Sequence, residues 1–409
     1  MRGFGLKTFG VMAILLCGCA TYQSNVQSAR NDLKRGDPAA AVAALKPLAE
    51  KDSRDRLVYL LDYATAQHIE GDYKGSIQSF ASADTLAEQN DFFSVTKTAA
   101  AALTNEEMLT YKGESYEKLF ISVYQAMNYL LLGQFDDAMV EVRRVNEKIT
   151  KFRNDGRKDY ELNPFANYLG GLLWEAGGRF DDAYISFSDS CKIDCSNPFL
   201  PEDLIRMARK SQRMDEYAQL KKQYPNVTEK PEWYDIHKGQ IVVLVEQGWG
   251  PEKHFAADNR FAKMIPVGSQ TAYARGKLTP GFEENSKPIY NVEKVVIKTF
   301  DDDRAWAIAR KLGGTATKLV VADQVRQKDP LLGDLTAIFL RVTDRADLRQ
   351  WSTLPHTYQL LRYYVSPGEY ELSLQGMSGG GGATADQKGP MKIAVGAGHI
   401  QFVFWRTLR

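Results

Sequence analysis

Four segments of this chain set small, aromatic and apolar residues in one frame. They are GDPAAAVAAL from Gly36, GDYKGSIQSF from Gly71, GQFDDAMVEV from Gly133 and GRFDDAYISF from Gly178. Each runs from glycine to an aromatic, then a small residue, then a large apolar one. The first departs from the frame, with Pro38 in the aromatic place. A further small residue precedes each glycine at a fixed interval: Ala29, Ala64, Ala126 and Gly171. The spacing predicts helix–turn–helix units. Small residues late in one helix and early in the next let the two cross closely, as Ala64 with Ser76, Ala126 with Ala138 and Gly171 with Ala183. The glycine supplies a turn in which positive φ is often needed. Phe80, Val142 and Phe187 are then expected to reach into the next layer. RMDEYAQLKKQY from Arg213 is a degenerate fifth candidate. Residues 25–225 are therefore predicted to be helical, either as stacked repeats or as hairpins of another kind of bundle.

Past residue 226 the period changes. PNVTEKPEWYD (225–235) is a polar stretch containing proline, and 226–238 is expected to be a linker. GQIVVLVEQG (239–248) and NVEKVVIKTF (291–300) are β-branched runs and predict buried strands. TYQLLRYYVSPGEYELSLQG predicts a hairpin about Pro367-Gly368, with Tyr370, Leu372 and Leu374 on one face. GHIQFVFWRTL puts Ile400, Phe402 and Phe404 on one side of a last strand, and KMIPVG and TAYARGKL are weaker candidates. The fold class predicted is α+β with two domains: a helical solenoid, then a β-sandwich of immunoglobulin-like general type over 239–409. A helical hairpin is expected to interrupt the sandwich at 301–346. SGGGGATADQKG (378–389) is expected to be a flexible loop. It lacks the following Lys-Ser or Lys-Thr and helix of a phosphate-binding loop.

The repeat frame resembles the tetratricopeptide repeat, although its glycines stand at unequal intervals, the longest between Gly71 and Gly133. Such a resemblance implies a groove that holds a partner protein or peptide. The N-terminus carries a second resemblance. Arg2 and Lys7 precede an apolar run, Phe9 to Leu16, too short to span a bilayer. Leu16-Cys17-Gly18-Cys19 then resembles a bacterial lipobox, with Leu16 aliphatic, Gly18 small and Cys19 the lipidated residue. The resemblance implies removal of 1–18, a tether at 19–24 and anchorage of the body by acyl chains, several of which hold securely where one is marginal. Ala20 after the acceptor implies sorting to the outer membrane, with the body expected to face the periplasm.

In that oxidising compartment Cys191 and Cys195 form either a small disulfide or two buried thiols. Taken with the lipobox and the repeats, GQIVVLVEQGWGPEK and DLRQWSTLP…LLRYYVSPGEYEL are similar to a family of uncharacterised bacterial lipoproteins with tetratricopeptide repeats. The residues that carry this are Gly248, Pro251, Lys253, Asp347, Arg349, Trp351, Leu354, Pro355, Arg362, Pro367 and Gly368. The resemblance implies architecture and no activity.

Composition narrows the function classes. The 409 residues hold 52 basic and 51 acidic side chains without a basic tract, so nucleic acid is not an expected partner. None of the five histidines stands at metal-ligand spacing from another histidine or a cysteine, and no hydrolase or nucleotide motif occurs. No catalytic residue, metal site or cofactor is predicted. Asp347, Arg349 and Trp351 form the one polar–aromatic cluster, either a structural corner or a contact for a ligand or partner. The expected function is a lipid-anchored envelope scaffold that binds a protein or peptide in its repeat groove, for envelope assembly or peptidoglycan synthesis. The alternative is a glycan-binding protein or an enzyme of cell-wall polymers acting through the C-terminal domain.

Overall fold

The five repeat frames become five helical hairpins in the computed structural model, which describes residues 22–95, 109–154, 163–257, 261–301 and 346–409. Helices α1 (Tyr22–Arg35) and α2 (Pro38–Glu50) form the first, α3 (Arg56–Glu70) and α4 (Tyr73–Val95) the second. Then come α5 (Ser115–Leu131) with α6 (Phe135–Asn154), and α7 (Pro164–Ala176) with α8 (Phe180–Ile193). The degenerate frame gives α9 (Leu200–Lys210) and α10 (Met214–Gln223). The frame glycines Gly36, Gly71, Gly133 and Gly178 all have positive φ, and in the fifth turn Gln212 takes that conformation. Pro38 sits in the first turn of α2, where an N–H would have no helical partner, and Asp37 caps that helix. The close crossings are real. Ser76 donates to the Ala64 carbonyl across 2.7 Å. A Cβ on Gly171 would lie 2.4 Å from the Phe187 ring.

Helix α1 starts at Tyr22, inside the segment expected to be a tether. Tyr22 is buried and its hydroxyl bonds to Asp62 and to the Gln350 carbonyl. The helical body therefore reaches closer to Cys19 than the predicted boundary at residue 25. Cys19 and residues 1–18 lie outside the described residues.

A 3₁₀ turn, Pro231–Trp233, leads into the second domain. Its strands are β1 (Gly239–Gln247), β2 (Glu252–Phe255), β3 (Ala262–Ile265), β4 (Tyr273–Thr279), β5 (Phe282–Asn285), β6 (Lys287–Asn291), β7 (Thr357–Val365), β8 (Gly368–Met377), β9 (Ala383–Val395) and β10 (Ile400–Arg406). One sheet has the order β10-β1-β7-β6, a second β5-β4-β8-β9, and β2 and β3 pair by themselves. Ile241, Val243, Val245, Leu361, Tyr363, Val403 and Trp405 of the first sheet pack on Ala274, Leu278, Leu372, Leu374, Ile393 and Val395 of the second. The two sheets thus form a sandwich, and the chain is a two-domain α+β protein.

Three sequence expectations change. The sandwich is not all-antiparallel as in immunoglobulin domains, because β1 pairs β10 in parallel. Residues 291–300 are not a strand. Only Asn291 ends β6, and 292–301 is helical. Val292, Val296 and Thr299 are buried while Lys294 and Lys298 are exposed, and the Asn291 side chain accepts the Lys294 N–H at 2.8 Å. A helical burial period with a cap overrode the β-branched composition. Finally, 378–389 is not a loop throughout, since β9 begins at Ala383. It is an edge strand, so its outward polar residues stay wet and Pro390 is tolerated there. The expected helical hairpin at 301–346 falls on 302–345, outside the described residues.

Candidate functional site

Strand β1 is buried along its whole length, because both faces of its sheet are covered. Odd positions face the second sheet, as above. Even positions face the helices: Val242 and Leu244 of β1, Tyr358 and Leu360 of β7 and Phe404 of β10 join the helical core. The first helix of each hairpin supplies most of the opposing surface. Phe120 of α5 and Phe165 of α7 stack on Tyr358, with ring centroids 5.7 and 4.1 Å apart. The repeat face expected to be a partner groove is therefore filled by the chain's own sheet. This corrects the predicted binding route. That face has no free groove among the described residues.

One end of the seam is closed by the segment 347–353, which contains the singled-out cluster. Arg349 bonds Asp347, the Asp55 carboxylate at 2.8 Å and the Leu109 carbonyl at 2.8 Å, with its guanidinium near the Tyr111 ring. Trp351 is 3 % exposed and packs on the stacked pair Phe80 and Tyr124, at 5.5 and 5.4 Å. Its indole N–H donates to Thr65 at 2.9 Å. Asp62 accepts from the Ser352 and Thr353 backbone N–H groups and from both hydroxyls. Lys253 donates to Glu114 and to the Arg349 carbonyl, each at 3.0 Å. The cluster thus contacts the protein's own helical domain. It is a latch between the domains.

Glu117 is fully buried and accepts from the Trp351 N–H at 2.7 Å, the Tyr111 hydroxyl at 2.7 Å and the Glu114 N–H at 2.9 Å. Burial and the Glu114 carboxylate push its carboxyl up to about 7, against the pull of those hydrogen bonds. Burial raises the Asp62 carboxyl too, although Tyr22, Thr353, Arg30 and Ser352 oppose it. The folded Glu117 value lies above its ordinary 4.5. Its contribution to stability is therefore full below about pH 4.5, falls between there and about 7, and is gone above. That difference is on the order of 3 kcal/mol. Denaturant unfolding of Glu117→Gln should show a flatter stability profile from pH 5 to 8 than the parent. An identical slope in both proteins would contradict the assignment.

At the other end, a second buried network joins the domains. Arg206 of α9 pairs with both Glu175 oxygens and with Asp203 at 2.6 Å. Arg362 of β7 pairs with Asp203, whose other oxygen accepts from Tyr168 at 2.7 Å. Gln240 of β1 donates to Glu175 at 2.9 Å. Burial raises both carboxyls, and the Arg206 and Arg362 guanidiniums outweigh it, so both end below their ordinary values. Between the two networks, Glu246 lies 3.8 Å from Arg406 and 3.9 Å from His68, all three buried.

The sequence singled out Arg349 and Trp351 but missed their partners Asp62 and Glu117. A signal was present. Asp62 is an acid in the middle of the apolar run LVYLLDYA, and Glu117 and Glu175 are likewise carboxylates in largely apolar helices. Cys191 and Cys195 lie at the end of α8, away from the seam, with bonded sulfurs and Cα atoms 4.0 Å apart. Among the described residues no group of His, Cys, Asp and Glu could hold a metal ion, and no helix is long and apolar enough to cross a membrane.

The N-terminal half is an array of paired helices. Among solved structures it is similar to a tetratricopeptide repeat protein from Parabacteroides merdae, at 16% identity and TM-score 0.33, over 50% of this chain and 67% of that one. It is similar also to MamA from Desulfovibrio magneticus RS-1, at 16% identity and TM-score 0.32, over 49% of this chain and 89% of that one. The apo form of RapI aligns at 9% identity and TM-score 0.37, over 56% and 60%. No family model and no curated protein matches the chain. In this chain a sheet covers the inner side of the repeats.

Proposed function

We propose that this protein is a non-catalytic, lipid-anchored scaffold of the bacterial envelope, binding a partner protein on the outer helices of its repeat array. The observation that carries the reading is the occupied inner face. With that face filled, the array is a rigid two-domain body that offers its second helices. Val140 of α6 and Ile185 of α8 occupy equivalent places in their repeats and are each 43 % exposed, so a partner on that face would cover both. The lipobox supports the anchor. If Cys19 is acylated, the short stretch before Tyr22 spans at most about 10 Å, so the Tyr22 end of the seam stands close to the bilayer.

The test is a pull-down from detergent-solubilised envelopes, with mass spectrometry of the mature N-terminus. The anchored protein and a soluble Cys19→Ser form should both retain the same partner. Val140→Glu with Ile185→Glu should lose it about tenfold while keeping the parental melting temperature, as expected for interface residues of about 1 kcal/mol or more each. Retention of nothing by any form, or an unacylated N-terminus, would remove the reading.

A further inference from the structure

The two four-stranded sheets end in four edge strands, β10 and β6 of the first and β5 and β9 of the second. An open edge presents unpaired backbone groups, and proteins usually defend it. Three of these edges are defended. Strand β6 carries Pro288 and a register shift against β7. Strand β9 carries Pro390 and two register shifts against β8. Strand β5 is four exposed residues long and includes Glu283 and Glu284. Strand β10 has none of these devices. Its seven residues, IQFVFWR, contain no proline, carry charge only at Arg406 and pair with β1 in unbroken register. The parallel ladder to β1 uses alternate residues of β10 and its flanks. The Gln240 N–H donates to the His399 carbonyl at 2.9 Å, and the Thr407 N–H donates to the Glu246 carbonyl at 2.9 Å. Ile400, Phe402 and Phe404 therefore turn their backbone N–H and C=O groups to the open side. Among the described residues no strand pairs there. Only side chains reach it: Lys388 donates to the Phe404 carbonyl at 2.7 Å, and Gln401 to the Phe402 carbonyl at 3.3 Å.

We propose that β10 takes up an extended segment of a partner protein as a further strand of its sheet. Beside the edge lies a groove of 330 Å³, walled by Leu130, Gly133 and Phe135 at the α5–α6 turn, Ala176 at the end of α7, and Ile400 and Phe402. Of its lining residues only His399 has an ionisable side chain, so a charged group entering it meets no fixed counter-charge and the inserted side chains are apolar. Side chains alternate along a strand, so every second residue of the added segment enters the groove and the others stay in water. Main-chain bonds supply the affinity and the groove selects the side chains. The helical turns stand beside the edge, and the volume takes a few side chains and no folded body, which favours a single segment over a second copy of this chain. Lys388 on the Phe404 carbonyl closes the far end. The paired stretch is therefore short, roughly 10 Å along Ile400–Phe402.

The site uses neither the anchor nor Val140 and Ile185, so its failure leaves the scaffold reading intact. The test uses the full chain in its soluble Cys19→Ser form, with the probe N-acetyl-Lys-Thr-Val-Thr-Val-Thr-Lys-amide. Titration calorimetry should give a dissociation constant below about 1 mM. N-methylating one alternate set of probe amides should weaken binding at least about tenfold and the other set less than about threefold, because only one set faces the edge. That set is the valines if the strands run antiparallel and the threonines if they run parallel. Hydrogen exchange at the Ile400, Phe402 and Phe404 amides should slow at least about tenfold with saturating probe, while the β10 amides already bonded to β1 stay unchanged. Ile400→Pro should weaken the probe at least about tenfold and keep the parental melting temperature, since proline is tolerated where a strand begins and its N–H faces outward. If that variant fails to fold, the N-methyl series on the parent decides. No binding at about 5 mM, equal effects of the two N-methyl sets, or slowed exchange at another edge instead overturns the proposal. So does a concentration-dependent dimer that Ile400→Pro abolishes, which assigns the edge to a second copy of the chain.

Discussion

Trp351→Ala should cost about 3–5 kcal/mol and split one unfolding transition into two. The side chain packs against the stacked rings of Phe80 and Tyr124 and is almost fully buried. Truncating a large aromatic there loses its burial and leaves a cavity that rigid helices cannot close. It also strips the indole donor from Thr65. The backbone bonds of the latch to Glu117 and Asp62 remain possible, so both domains should still fold. What fails is their coupling. Guanidinium unfolding followed by far-ultraviolet dichroism and by tryptophan fluorescence would resolve it, because coincident curves mark a single cooperative unit. Trp351→Phe keeps most of the ring packing and should cost only about 1–2 kcal/mol. An alanine variant within about 1 kcal/mol of the parent would mean that the latch does not hold the seam.

The second large effect is expected at Arg206. Its side chain is fully buried and neutralises Glu175 while sharing Asp203 with Arg362. Arg206→Ala leaves carboxylates in the interior without enough positive charge, and breaking a buried pair from one side costs about 3–5 kcal/mol. The loss should be partly recovered by Glu175→Gln in the same chain, since removing both charges of a buried pair is far cheaper than removing one. A double-mutant cycle measures this. Additive losses would show that the two side chains do not act together.

Parts of this arrangement were open to a reader of the sequence and parts were not. The hairpins were legible because a helix repeats its environment every few residues: Gly71, Gly133 and Gly178 mark turns that only a residue tolerant of positive φ occupies readily. The fifth hairpin was faint because Gln212 fills that turn. Strands with an alternating wet face, such as β8, were equally visible. The helix over 292–301 was misread because Val292, Val295, Val296 and Ile297 suit a strand by composition, and only their burial shows the period. Strand β9 was missed because an edge strand leaves polar residues exposed and looks like a loop. The Arg349 and Trp351 cluster was noticed, yet its role depends on Asp55, Asp62 and Glu117, which lie far away in the chain.

The sequence by itself determined the elements: where helices turn, where the period changes to that of strands, and which residues are apolar enough to be inside. Those are local properties, set within a few residues by sterics and solvent. Only the tertiary structure decided that the sheet beginning at Gly239 lies against the first helices of the repeats, and so that the array's inner face is occupied. A strand buried on one face and a strand buried on both can carry similar residues. Which surface covers the second face is a long-range match of shape and charge between Asp62, Glu117, Arg206 and their partners, and no spacing along the chain encodes it.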